Sequence, residues 1–374
     1  MKKITELAKT LGFGMLLICL TAMVSCTDNS TEDIEPKTPD APNMQDLVYR
    51  VIYDTDLGSS TDDLFALKLL YYIDDLGFIK LIGGVVSREE NGNWEKYIKM
   101  TDVLNTYYGY GSLPMGVDRD GVKSAKPFID YAGIADLKNP DGSSMFKRSI
   151  TDYNALPDAH KLYRKLLSEQ PDGATKICSL GFMTVLAKLL QSEGDEYSPL
   201  NGVELVKKKV HSLYLMAGKF GEEGNDSPGY NFGSHNPDAL EFTRTMLKLW
   251  PESVPIYVSP SPVGDELEYP KDEVLQDIYW TDTEPIKQTY MNCDVNTGQM
   301  MWDFLTALNT CLYTTETLFE FSESGFMVLT DDNRLLFEPS PMGNCYYQML
   351  NGNRKETLLT TYKSFLRLIA SYHR

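Results

Sequence analysis

Along this chain, short apolar runs alternate with longer stretches whose apolar residues recur at helical spacing. "LVYRVIY" (47–53) precedes a helix-period stretch over 61–75, "FIKLIGGVV" (78–86) one over 94–108, and "ATKICSL" (174–180) one over 182–192. "VHSLYLMAG" (210–218) precedes one over 237–249, and "SVPIYVS" (253–259) follows. A continuous apolar run reads as a strand buried on both faces, and the helix-period segment after it supplies the crossover to the next parallel strand. The pattern therefore predicts an α/β fold, an open and mostly parallel sheet with flanking helices. From 317 to 351 it changes to strand and turn, and no internal repeat is apparent.

The ends follow other rules. Lys2, Lys3 and Lys9 precede "LGFGMLLICLTAMV", the layout of a bacterial secretory signal. Its apolar run is shorter than the ~20 residues of a membrane-spanning helix. "MVSC" resembles a lipobox, which would make Cys26 the lipidated first residue of the mature protein. Residues 27–48 are acidic, contain proline and have few large apolar side chains, so they are expected to form a disordered tether. The expected organisation is a lipoprotein signal over 1–26, a tether over 27–48 and one large domain over 49–374. Lipid anchoring to the cell envelope follows, with the outer membrane favoured because Thr27 rather than aspartate comes after the cysteine.

Composition narrows the function. A net charge of −18 argues against a nucleic-acid partner, since phosphate backbones are held by Lys/Arg clusters. Cys178, Cys293, Cys311 and Cys345 are scattered without metal-binding spacing, and with four histidines in the chain a zinc or histidine-based centre is not expected.

The chemistry concentrates in "VIYDTDLGSSTDDLFAL", which sets Asp54, Asp56, Asp62 and Asp63 between the first strand and the first helix. Asp62 and Asp63 alone would suit a helix N-terminus. Adding Asp54 and Asp56, two positions apart at a strand end, brings several carboxylates to one place, where a hard cation with oxygen ligands would relieve their repulsion.

Here the chain resembles the inosine-uridine type nucleoside hydrolases, whose first strand ends in DxDxG…DD. Further segments match in family order from about residue 49 to 312: "GGVVSREENGNWEKYIKMTDVLNTYYG", "KICSLGFMTVLAKLL", "LYLMAGKF", "GYNFGSHNPDALEF" and "MMWDFLTAL". The resemblance implies a calcium-dependent hydrolase that cleaves the N-glycosidic bond of ribonucleosides or related ribosides. It implies that Asp56, Asp63, Asp303 and the Leu180 carbonyl hold calcium, that Asp56 is the catalytic base, and that Asp54 orients its neighbours. Asp62 and Asn93 would bind the ribose hydroxyls, with Met216, Asn225 and Asn231 lining the sugar site. The partner is a small nucleoside or riboside, with a homo-oligomer left open.

Two departures lie near the substrate. Gly229 stands where the family has a glutamate that holds the 5′ hydroxyl, and Trp302 where some members carry a histidine near the departing base; His235 is the candidate replacement. Two other readings compete: a calcium-dependent ribose- or nucleoside-binding lipoprotein without catalysis, and a phosphatase of the haloacid-dehalogenase type, which "VIYDTD" also resembles. In that second family Thr or Val stands at the position of Gly58.

Overall fold

Strand β1 (Tyr49–Thr55) is the centre of the molecule, and alternation along it divides two cores. Val51 and Tyr53 point into one apolar cluster and Ile52 into the other, because successive strand side chains face opposite sides. The computed structural model describes residues 48–220, 226–295, 298–312, 318–350 and 352–374. The expected signal, Cys26 and the tether as far as residue 47 lie outside the described residues, as does Asn225.

The chain continues through α1 (Asp62–Asp75), β2 (Ile79–Arg88), α2 (Trp94–Tyr107), β3 (Met115–Val122), α3 (Ala159–Ser168), β4 (Thr175–Ser179), α4 (Thr184–Gln191), α5 (Gly202–Lys209) and β5 (Val210–Met216). A short helical turn α6 (Gly229–Phe232), α7 (Ala239–Leu249) and β6 (Ile256–Ser259) come next. These six strands pair in parallel in the order β3-β2-β1-β4-β5-β6. After the turn α8 (Ser261–Gly264), the two-residue strands β7 (Glu268–Tyr269) and β8 (Gln299–Met300) form a small separate ladder around α9 (Lys271–Asp277) and α10 (Pro285–Asn292). Helix α11 (Trp302–Cys311) then returns to the sheet, and α12 (Lys355–Ser371) closes the described chain.

The strand-and-turn region over 317–351 becomes β9 (Glu320–Phe321), β10 (Gly325–Leu329), β11 (Leu335–Pro339) and β12 (Cys345–Met349). β12 adds to β6 in parallel and β10 runs antiparallel between β12 and β11, so the sheet is mixed only at this edge.

Helices cover both faces, as a parallel sheet requires. Apolar residues of α1, α2, α11 and α12 fill one cluster, and those of α3, α4, α5 and α7 the other. Strand order reverses at β1, whose neighbours are β2 on one side and β4 on the other. Beyond the carboxyl ends of strands at such a switch point the diverging connections leave a crevice.

Candidate active site

That crevice holds the acids. β1 delivers Asp56 just past its last residue, and the following loop leads straight into α1, whose first turn carries Asp62 and Asp63. A helix N-terminus tolerates this charge because its unpaired N–H groups are the positive end of the dipole. Asp303 stands in the first turn of α11, which packs on α1. Its backbone N–H donates to Asp62 Oδ2 at 2.9 Å, and the two helix starts are thereby clasped together.

Asp56, Asp63 and Asp303 are all buried, and one carboxylate oxygen from each lies within 4.8 Å of the others. Thr55 Oγ1 donates to Asp63 Oδ1, and Asp62 Oδ1 is buried without a hydrogen-bond partner. Leu180 follows β4; its N–H donates to Asp54 O at 2.7 Å, which continues the strand pairing and brings the Leu180 carbonyl to the crevice wall. The approach is close. A side chain at Gly181 would place its Cβ 2.8 Å from both Cβ and N of Asp56.

Burial sets the electrostatics. It pushes the Asp63 and Asp303 carboxyls well above the usual range, and the charges of the neighbouring acids add to the effect. Burial likewise raises Asp62 to about 6 and Asp56 above its ordinary value, the latter against the pull of a cation beside it. That cation is Arg88, the last residue of β2 and fully buried. Its Nη2 lies 2.9 Å from Asp56 Oδ2, and its Nε donates to Asp56 O at 2.8 Å. Nη2 also donates to Tyr230 Oη at 3.1 Å. The guanidinium sits among the rings of Tyr97, Phe182 and Tyr230, 5.4 to 5.9 Å from their centroids.

The acids form the floor of an open cleft of about 170 Å³. Met216, Asn231, Trp302 and His235 line it. Asn231 Nδ2 donates to Leu180 O at 2.6 Å and to Met216 O at 3.0 Å, and so fixes both strand ends. Trp302 Nε1 donates to Asp265 Oδ1 at 2.8 Å, and His235 is exposed at the lip. Asp54 is buried on β1 behind the floor, both of its oxygens lacking a well-formed hydrogen bond; burial raises its carboxyl well above the usual range.

Asn93 requires a correction. It is exposed before α2, donates its side-chain amide to Glu90 O at 2.9 Å and does not line the cleft. β2 runs on to Arg88, and the positive φ angles of Glu90, Asn91 and Gly92 turn the chain outward before Asn93 is reached. Arg88 occupies the strand end instead. Lining residues not singled out from the sequence include Phe128, Lys219, Tyr230 and Ser261. Arg88 alone carried a signal: a charged residue just after the apolar run 81–86 of β2.

The fold is matched by known structures. The inosine-uridine preferring nucleoside hydrolase from Bacillus anthracis aligns with TM-score 0.60 and 16% identity over 86% of this chain and 100% of its own. The fold is that of the nucleoside hydrolases. The purine-preferring ribonucleoside hydrolase from Gardnerella vaginalis, also of this fold, aligns at 0.59 and 15% over 86% of this chain and 99% of its own. The type III effector XopQ, complexed with adenosine diphosphate ribose, shares the nucleoside hydrolase fold at 0.58 and 14% over 87% of this chain and 93% of its own. No protein-family model and no curated protein matches the chain.

The donor set fits a hard divalent cation. Three convergent carboxylates, a nearby carbonyl and, among the described residues, no nitrogen or sulfur ligand make an all-oxygen site, and the burial of so many acids calls for positive charge beyond that of Arg88.

Proposed function

We propose that the protein is a calcium-dependent hydrolase of the N-glycosidic bond in ribosides. The observation that carries this reading is the convergence of Asp56, Asp63 and Asp303 on the floor of an open cleft, with the free oxygen of Asp62 beside them. The ribose common to the ligands named for the neighbouring structures supports a riboside.

In this reading Asp56, Asp63, Asp303 and the Leu180 carbonyl would hold the cation, which would supply a template for water and the sugar diol and polarise that water. Asp62 Oδ1 accepts from a ribose hydroxyl, while Met216 and Asn231 shape the sugar's wall. Asp56 uses Oδ1 to take the proton of the attacking water, because Oδ2 is held by Arg88. Positive charge developing on the ring is stabilised by the surrounding acids, which a neutral pocket would not do. A panel of ribonucleosides assayed with calcium and with chelator tests the reading: release of base only with calcium supports it, and no release from any riboside removes it.

The Arg88–Asp56 pair favours a second reading. The guanidinium opposes the rise that burial gives the Asp56 carboxyl and occupies its Oδ2, which suits a calcium-dependent ribose-binding protein without turnover. Turnover of p-nitrophenyl riboside set beside ribose binding separates the two. We also propose an envelope lipoprotein anchored at Cys26, on the support of residues 1–48 alone. Membrane fractions of the Cys26→Ala variant test it, and unchanged fractionation counts against it.

A further inference from the structure

The cleft is charged unevenly. Its floor is acidic, yet one wall carries Lys219, whose side chain is half-buried and makes no ion pair or hydrogen bond with a described residue. An ammonium beside so many carboxylates would ordinarily be drawn to one of them. Its backbone instead fixes it on the wall, since Lys219 and Ser227 exchange hydrogen bonds of 2.8 and 3.1 Å in an isolated bridge. Ser234, His235 and Ser261, all able to donate hydrogen bonds, line the same cleft.

Gly229 lies against the residue before Lys219. Its φ is +69°, and a Cβ there would sit 3.0 Å from Gly218 N and 3.3 Å from Gly218 Cα. Backbone packs on backbone, so this part of the wall carries no side chain. The resemblance described above puts the 5′ end of the sugar here, with a carboxylate to receive its hydroxyl. In this chain that carboxylate is missing, and the Lys219 ammonium, unpaired among the described residues, lines the same cleft. A missing carboxylate and a nearby ammonium both make this wall more positive, and a neutral hydroxyl needs neither.

We propose that the riboside taken by this cleft carries a phosphate on its 5′ oxygen, held by Lys219. The inference rests on the riboside reading and adds the substrate class. A phosphate accepts charge-assisted hydrogen bonds from an ammonium, and the acidic floor repels it, so the neutral diol faces the carboxylates and the anion faces Lys219. Polarity alone then orients the substrate.

The test compares ribose with ribose 5-phosphate by calorimetry on the full-length protein in calcium, and inosine with inosine 5′-monophosphate by kcat/KM. A charge-assisted contact predicts a preference of about tenfold or more for each phosphorylated ligand. In Lys219→Ala both ratios fall toward one; in Lys219→Arg, which keeps the charge, the preference persists. Circular dichroism of both variants establishes that they are folded. Equal handling of the paired ligands by the wild type, or a preference that survives Lys219→Ala, overturns the inference and leaves the riboside reading standing. If no sugar binds and neither inosine nor its phosphate is cleaved, the riboside reading falls and this inference with it.

Discussion

Arg88 and Asp56 are joined by two hydrogen bonds, one from Nη2 to Oδ2 at 2.9 Å and one from Nε to the backbone oxygen at 2.8 Å. The guanidinium therefore fixes the main chain at the end of β1 as well as the carboxylate. Removing one partner of a buried pair leaves the other charge uncompensated, at a cost of about 3–5 kcal/mol. Arg88→Met is expected to lower the thermal midpoint measured in chelator, and to show a larger rise on adding calcium than the wild type, because the cation then replaces the lost charge. A calcium response no larger than the wild type's would mean that the pair does not share its charge with the metal site.

Asp56→Asn keeps the size of the side chain and one oxygen while removing the base and a negative charge. Base catalysis contributes about 10²–10⁴-fold, so kcat on a good riboside is expected to fall by at least that much, with KM changing less. Calcium occupancy is measured on the same sample. A variant that keeps its metal and turns over near the wild-type rate would remove Asp56 from the role of base.

The acids also make stability depend on pH in an uncommon direction. An unfolded aspartate titrates near ~3.9, and burial holds Asp62 at about 6 in the fold. Its folded form thus binds the proton more tightly. The corresponding stability is fully present below the unfolded value and is lost as pH rises through about 6. In chelator, the midpoint should therefore rise as pH falls from ~7 toward ~5. Calcium competes with the same protons, so its stabilising effect should shrink over that interval. Melting curves in chelator and in calcium check both trends, and a calcium effect independent of pH would contradict them.

A second buried pair lies away from the cleft. Lys68 Nζ is 3.3 Å from Glu284 Oε1, both side chains are fully buried, and Tyr108 Oη donates to the same oxygen. Lys68 also donates to Ala370 O at 2.9 Å, and Glu284 Oε2 accepts from the N–H of Lys287, so the pair joins α1, α10 and α12. Glu284→Gln is expected to cost about 3–5 kcal/mol in urea unfolding, and Lys68→Met with Glu284→Leu less than the two single changes added. Strict additivity would show that the two groups do not act as a pair.

The parallel core was legible because its strands are uninterrupted apolar runs, and the helices after them keep a helical period. "VIYDTDLGSSTDDLFAL" gave the acids for the same local reason: strand end, short loop and helix start are contiguous in sequence. Asp303 could be joined to them only by resemblance, since its approach depends on how α11 packs on α1. Arg88 was missed because an arginine at a strand end does not announce its partner, and Asn93 was misplaced because nothing local marks where β2 stops. Lys219 and Phe128 reach the cleft through loops, whose course depends on long-range contacts.

The clasp between Asp303 N–H and Asp62 Oδ2 joins positions 241 residues apart. Closing so long a loop adds little to the equilibrium cost, which grows by only about 0.6 kcal/mol per doubling of length. The time needed to find it is another matter, since contacts of high sequence separation slow folding. The acids from β1 and α1 are neighbours from the outset, whereas the last one arrives only when α11 docks, so their repulsion falls on a late step. Calcium present during refolding is then expected to speed that step, and the cation would leave its mark on the rate at which the protein forms as well as on the protein once formed.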